Sequence, residues 1–416
     1  MGQVFTSNKL KIINDPVFGF IRIPFAEIFD LMQDSRFQRL RRIRQGGLSH
    51  YVYPGANHTR FQHALGAMHL MGLAIDSIRS KGHEITEEEA KAVTTAILLH
   101  DIGHGPFSHS LENSIIEGLP HESISLMYME QFNREQEGEL DMAIQIFQNE
   151  YPKRFLHQLV SSQLDMDRLD YLKRDSYFTG VTEGVIGSDR IIKMLNVVND
   201  QLVVDEKGIY SIEKFLVARR LMYWQVYLHR TVISAEQVLV QMLRRARNLH
   251  REKGLIDAPD ALKWFLSETP KLNSLSDQNR FLWYYSRLDD SDIFAAAKIW
   301  LDHDDKILAY LADALLNRNL FALEISETPP DPRRIDKLLL KIARHLGVSF
   351  DEAAYLVVSD SISNNAYSEH DEEITILDKQ GRTLDIAEVS DILNTAVLSK
   401  TVRKYFLCYP KFIRES

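Results

Sequence analysis

The sequence is most informative first for what it has little of. Cys408 is its only cysteine, so an internal disulfide and a thiolate metal cluster are both excluded. No apolar run approaches the ~18 residues needed to span a bilayer, and the N-terminus lacks a charged-then-apolar leader. Positive charge is in deficit. Against 58 acidic residues stand 49 lysines and arginines, and the net charge of −9 argues against a protein that coats nucleic acid. Repeats and low-complexity tracts are missing, and strand signals are few. Apolar residues make up 45% of the 416 positions, enough for a sizeable core and too many for a disordered chain. Such a length suits two or three domains, or one large unit with an appendage. A soluble, cytoplasmic protein without a membrane partner is expected. Met1-Gly2 with Thr6 meets only the shortest form of an N-myristoylation pattern.

The first 250 residues read mostly as helix. Thr59-x-x-Gln62 and Thr86-x-x-Glu89 are capping boxes that open helices over 59–78 and 86–100. His63, Ala67, Leu70, Met71 and Ala74 share one stripe of the first; Ala90, Val93, Ile97 and His100 share one stripe of the second. Gly82 turns the chain between them. A third helical stripe over 155–175 carries Leu159, Gln163, Asp167 and Tyr171, and a fourth helix runs from about Ser211 to His250, with Gly254 to stop it. Two hairpins are expected: 202–204 with 209–210, and 374–377 with 383–386. Glu327–Pro332 is the clearest linker. The fold class that follows is mainly α: a helical bundle with small β-hairpins and a C-terminal α+β region, divided into a core over 1–255 and a second part over 256–416.

Helix geometry brings the histidines together. The arm from His63 to the turn near Gly82 matches the arm back to His100, so an antiparallel pair sets the two side by side on inward stripes. Asp101 follows where Gly103 ends the helix, and Asp167 arrives from a third helix. Two imidazoles and two carboxylates make a mixed nitrogen–oxygen site for one divalent metal ion, with room for water and substrate oxygens. Those donors do not choose among Mn²⁺, Fe²⁺, Zn²⁺, Ni²⁺, Co²⁺ and Mg²⁺. Taken singly, a histidine on an apolar stripe is more often a hydrogen-bonded core residue, and Asp167 could simply pair with Arg168 or Arg174. The segment His100–His109 tips the balance: three histidines, two glycines and a proline in ten residues make a poor core and a good site loop.

His63, His100-Asp101 and Asp167 resemble the H…HD…D signature of the HD-domain metal phosphohydrolases. Longer runs are similar to the deoxynucleotide triphosphohydrolases within that superfamily: Asn14-Asp15-Pro16-Val17-Phe18-Gly19, Phe37-Gln38-Arg39-Leu40-Arg41, the stretch Tyr53–His63, His100–His109, and Asp165-Met166-Asp167-Arg168-Leu169-Asp170-Tyr171 through Arg174-Asp175. The likeness covers roughly residues 5–250. It implies an HD-domain helical bundle with His63, His100, Asp101 and Asp167 as metal ligands. It also implies a metal-activated water that attacks the α-phosphate of a dNTP, dGTP among others, to release deoxynucleoside and intact triphosphate. His104 and His109 would lie near that phosphate, with His109 protonating the departing 5′ oxygen, and His121-Glu122 would form another active-site pair. Arg60, Arg168 and Arg219 match phosphate contacts; Gln45, Tyr171 and Asp175 match residues that hold the sugar. Gly46-Gly47 follows Gln45 where the family often has leucine, and Tyr223, near the expected nucleotide pocket, replaces a histidine of the animal pattern. Lys11, Asn14, Gln38 and Arg41 match residues that bind an activating guanine nucleotide between subunits, although Gln33 replaces the aspartate that reads the guanine edge. Val52 and Tyr53 fall where a neighbouring effector would pack. A homodimer or homotetramer with nucleotide effectors is therefore expected. The five arginines of Arg36–Arg44 read by default as a solvated face or an ion-pair network. Competing functions are hydrolysis of another phosphoester (a monophosphate, an alarmone or a cyclic nucleotide), nucleotide-responsive binding without turnover, and nucleic-acid binding through those arginines.

Overall fold

The structure, a computed structural model, describes residues 11–107, 116, 118–254, 256–268, 270, 272, 274–364, 373–390 and 402–414. It is mainly α. Both capping boxes form, on helices Arg60–Ser80 and Glu87–Leu99, and Gly82 makes the turn between them at φ +89°. Ala64, Ala67, Leu70, Met71 and Ala74 are buried on the first helix, which packs against the second and against helix Met166–Thr179. His63 and His100 do stand side by side, with ring centroids 5.3 Å apart.

The single helix expected over 155–175 is two helices, Arg154–Val160 and Met166–Thr179. The break has a local cause. Asp165 accepts hydrogen bonds from the backbone N–H of Ser162 (2.8 Å) and Arg168 (2.7 Å), so its side chain caps the second helix and ends the first. The expected helix from Ser211 to His250 is likewise divided. It runs as Ile209–Met222, one wide π turn over Tyr223–Tyr227, and then Arg230–Lys253, ending at Gly254 with φ +97° as anticipated.

Strands β1 (Ile12–Asp15) and β2 (Gly19–Arg22) form an N-terminal hairpin. The first predicted hairpin needs correction. Strand β3 (Leu195–Val198) pairs with β4 (Gln201–Asp205) across Asn199-Asp200, while Ile209 and Tyr210 begin a helix. Asn199 and Asp200 have φ of 50° and 59°, the two-residue turn whose twist suits a hairpin. Next come β5 (Ala322–Ser326), β6 (Val358–Asn364), β7 (Thr375–Leu377), β8 (Thr383–Asp385) and β9 (Val402–Tyr409). The β7–β8 hairpin is the second one expected, and it adds to β4 in a sheet ordered β3-β4-β7-β8; β5, β9 and β6 form another. The segment read as a linker leads from β5 into helix Pro332–Leu346, with Asp331 as cap and Pro332 at its first position.

The arginine-rich run is mostly an internal network. Arg36 pairs with Asp34 and Glu135, Arg42 with Asp289 and Arg44 with Asp290. Arg39 is fully buried.

Candidate metal centre

Three elements deliver the site. His63 comes from the first turn of helix Arg60–Ser80, His100 and Asp101 from the end of helix Glu87–Leu99, and Asp167 from the first turn of helix Met166–Thr179. His63 Nε2 lies 3.1 Å from Asp167 Oδ1 and 3.5 Å from Asp101 Oδ2; His100 Nε2 lies 3.4 Å from Asp101 Oδ1 and 3.5 Å from Asp167 Oδ1. Bonds of ~2.1 Å to one cation would separate neighbouring ligand atoms by about 3.0–3.5 Å; donor atoms of His63, His100 and Asp101 all lie within 4.8 Å of one another and fit a shared ion, while Asp167 approaches it from beside the two histidines. The side chain of His63 is fully buried, whereas that of Asp167 keeps 26% of its exposure and marks the open side.

The fit rests on where the imidazole nitrogens point. His63 Nδ1 is bound to Asp170 Oδ2 at 2.7 Å and His100 Nδ1 to the carbonyl of Ile97 at 2.6 Å. Each Nδ1 therefore carries the proton and each Nε2 presents a lone pair. Both Nε2 atoms are buried and have no hydrogen-bond partner. Two orphaned lone pairs facing two carboxylates are what a divalent cation satisfies. Until a cation takes that place, a second proton on Nε2 answers the same negative charge, and binding an ion displaces it. Burial disfavours a charged His63, yet Asp167, Asp170 and Asp101 outweigh it and raise its pKa to about 10. Burial likewise opposes ionised Asp101 and Asp167, but their histidines, with Arg60 beside Asp101, hold both below the usual carboxylate range. Asp101 also reaches a second group: its Oδ1 is 3.2 Å from His104 Nε2, and His104 stacks on His121 at 3.6 Å. Donor atoms of Asp101, His104 and His121 lie within 4.8 Å of one another.

Residues that the sequence reading did not single out hold the loop that follows His100. Arg39 donates to the carbonyls of Leu288 (2.7 Å) and His104 (2.9 Å), and at 3.4 Å to that of Ile102. Ser125 Oγ donates to the His100 carbonyl and accepts from the Gly103 N–H, and Tyr285 Oη donates to the Gly103 carbonyl. A Cβ on Gly103 would stand 2.2 Å from the carbonyl oxygen of His121, so only glycine lets the loop meet that helix. Asp290 accepts from the N–H groups of Phe107 and Arg44, both at 3.0 Å.

Comparison with known proteins agrees with this geometry. The HD domain family matches residues 60–175 and the HD associated region family matches residues 186–294. A phosphohydrolase crystal structure from Bacteroides thetaiotaomicron superposes with a TM-score of 0.93 at 54% identity, covering 96% of this chain and 100% of that one. The chain belongs to the HD-domain phosphohydrolase superfamily. An uncharacterized Bacillus subtilis protein is 32% identical over 96% of this chain and 92% of its own length. The deoxynucleoside triphosphate triphosphohydrolase SAMHD1 homolog of Dictyostelium discoideum is 31% identical over 278 residues, 61% of this chain but only 54% of that protein.

Several of the residues expected to contact substrate lie near the HD residues. Arg60 is buried and binds Asp101 Oδ2. Arg168 binds Asp165, and Arg219 donates to Gln163 Oε1 at 2.7 Å. The Nε atoms of Arg168 and Arg219 are buried without hydrogen-bond partners, as is Gln45 Oε1. Burial pushes the Tyr171 hydroxyl well above its usual range, and both arginines act on it in the opposite sense, which puts them close by. Tyr171 and Tyr223 each meet the ring of Tyr227 edge-on. Asp175 is held from both sides, by His58 Nε2 at 2.6 Å and by Tyr227 Oη at 2.5 Å. His58 and Tyr227 were not singled out from the sequence, although His58 stands in the Tyr53–His63 run. His121 opens helix His121–Glu135 with Glu122 3.4 Å away on an exposed side chain. His109 lies outside the described residues.

The expected effector residues are only partly assembled. Lys11 sits over the ring of Phe29 at 3.3 Å and Gln38 donates to the Met32 carbonyl, so these two border helix Ala26–Gln33; Arg41 donates to Gln38 Oε1 and lies over the ring of Phe61. Asn14 pairs with Phe20 in the hairpin, and Val52 ends a turn over Gly47–Tyr51 that packs against helix Arg230–Lys253.

Proposed function

We propose that the protein hydrolyses deoxynucleoside triphosphates, dGTP among them, to deoxynucleoside and inorganic triphosphate. The observation that carries this reading is the pair of buried, unpartnered guanidinium nitrogens of Arg168 and Arg219 beside Tyr171, next to the imidazole–carboxylate cluster. A buried donor without an acceptor is costly, and a chain of phosphates supplies acceptors and the opposite charge together. His63, His100, Asp101 and Asp167 would hold one divalent ion. When bound, that ion supplies Lewis acidity towards water and a phosphoryl oxygen. Arg60, Arg168 and Arg219 then take up phosphate charge. Tyr171, Gln45 and Asp175 receive the sugar, with Asp175 held in place by His58 and Tyr227. Tyr223 borders the same end. His109 is the proton donor to the departing 5′ oxygen, a role suited to an imidazole of ordinary pKa, and His104, His121 and Glu122 surround the phosphate.

The same reading takes residues 1–255 as the hydrolytic unit, places it in the cytoplasm, and makes the protein a homodimer or homotetramer. Nucleotide effectors would bind at Lys11, Asn14, Gln38, Arg41 and Val52. Its support is Arg41, which among the described residues has no carboxylate partner, together with exposed Ile12 and Phe20 on the hairpin. Size-exclusion chromatography with and without GTP and dNTPs tests assembly; an unchanged monomer removes the effector site. Chromatography of products from a panel of nucleotides tests the reaction. Triphosphate is expected, whereas pyrophosphate, free phosphate or a linear nucleotide would assign a different phosphoester.

A further inference from the structure

A continuous ionic chain leads from the N-terminal hairpin to the metal centre. Asp15, at the end of β1, accepts through Oδ1 from the N–H groups of Val17 (2.9 Å) and Phe18 (3.0 Å) and fixes the hairpin turn. Its Oδ2 accepts from Arg174 Nη1 at 2.7 Å. Arg174 then donates twice to Asp170, from Nη2 to Oδ1 and from Nε to Oδ2, both at 2.9 Å. Asp170 Oδ2 in turn holds His63 Nδ1 at 2.7 Å. The side chains of Arg174, Asp170 and His63 are fully buried and that of Asp15 is 3% exposed, so solvent screens none of these contacts. The opposite helix makes room for them. A Cβ on Gly66 would stand 1.8 Å from Asp170 Oδ1 and 2.3 Å from Arg174 Nη2.

We propose that Asp15 and Arg174 are positioning residues for the metal ligand His63, so that the docked hairpin sets both the orientation and the donor strength of its Nε2. This deepens the metal-hydrolase reading and rests on it. Anchoring a hairpin does not need buried charge, because an apolar pair of the same shape commonly gives equal or greater stability. What charge adds is a graded pull. Two carboxylates share the one guanidinium, which leaves Asp170 with negative charge to spend on the His63 N–H. Neutralising Asp15 hands Arg174 wholly to Asp170. The carboxylate then polarises the imidazole less, and Nε2 becomes a poorer donor.

The experiment compares wild type, Asp15→Asn and Ile21→Val. Asp15→Asn keeps an oxygen for the Val17 and Phe18 N–H groups and replaces the oxygen that accepts from Arg174 Nη1 with an NH₂ group, so it removes the charge and that one hydrogen bond. Ile21→Val loosens the packing of the same hairpin, where Ile21 is fully buried, and leaves the ionic chain intact. Mn²⁺ affinity is read from the electron paramagnetic resonance of the free ion, the fold from circular dichroism, and the His63 Nδ1–H by ¹⁵N NMR of the Zn²⁺-loaded protein. Asp15→Asn should stay folded, shift that resonance and weaken Mn²⁺ binding by roughly 3- to 30-fold, somewhat less than loss of a direct partner to a ligand. Ile21→Val should bind Mn²⁺ like wild type. Wild-type affinity in Asp15→Asn, or equal weakening in both variants, overturns the proposal while leaving the metal centre in place. A wild-type protein that binds no Mn²⁺ overturns the metal-hydrolase reading itself, and the proposal with it.

Discussion

Arg39 offers a demanding test of how the site loop is held. Its guanidinium is sealed from solvent and bonds three backbone carbonyls, two closely (Leu288 at 2.7 Å, His104 at 2.9 Å) and one loosely (Ile102 at 3.4 Å). Replacing it with methionine keeps the apolar stem and strips the donors. Each close carbonyl left buried without a partner costs ~1–3 kcal/mol, and the loose one adds less, so the total is about 3–5 kcal/mol. Unfolding a chain of 416 residues carries an entropy of roughly 0.9 kcal/mol/K, which converts that loss into a fall of about 3–6 °C in the melting midpoint. Activity should fall further than stability. Two of the freed carbonyls, those of Ile102 and His104, belong to the turn that carries Asp101 and His104, and the third, of Leu288, ties that turn to the segment before Asp290; displacement of a reacting group by ~1 Å costs of order 10²-fold in rate. Differential scanning calorimetry and single-turnover hydrolysis measure the two effects. Arg39→Lys, a compact donor on a flexible stem, should be intermediate. An Arg39→Met protein that melts within 1 °C of wild type and turns over normally would refute the idea that these bonds hold the loop.

Three further outcomes follow from named contacts. Gly103→Ala should lose most activity and several degrees of stability, because its Cβ meets the His121 backbone at 2.2 Å; normal melting would show that the helix can move aside. Burial raises the Asp290 carboxyl to about 6, so between its unfolded value near 3.9 and that point the folded state holds an extra proton. Asp290 should therefore lose up to ~3 kcal/mol of its contribution as pH rises from 4 to 6, and the stability difference between wild type and Asp290→Asn should shrink over that interval in urea titrations. A pH-independent difference would place the Asp290 pKa at its ordinary value. His109→Ala should keep metal and slow turnover by ~10²- to 10⁴-fold, the usual worth of a general acid; full activity would move that role to another residue.

Much of the site was legible because local rules and helix periodicity suffice to place it. The two capping boxes fix the phase of two helices, and that phase alone sets His63 beside His100. Asp167 kept its place although its helix begins at Met166 rather than further upstream. The misses have a common physical origin. Asp165 as a helix breaker, and Asn199-Asp200 as a hairpin turn, depend on side-chain and backbone choices that a periodic stripe does not register. Asp170 and Arg174 look like surface charges on a helix until their partners are known, and Arg39 looks like one more arginine in a basic run. Asp290, more than a hundred residues beyond the motifs, acts only through tertiary contact.

The most direct measurement is anomalous X-ray diffraction from crystals grown with Mn²⁺, collected at the manganese edge. A single strong peak about 2.0–2.3 Å from His63 Nε2, His100 Nε2 and one oxygen each of Asp101 and Asp167 is the expected result. A peak that two or more of those four side chains do not touch, or none at all, would contradict the shared-ion centre on which the proposed hydrolysis depends.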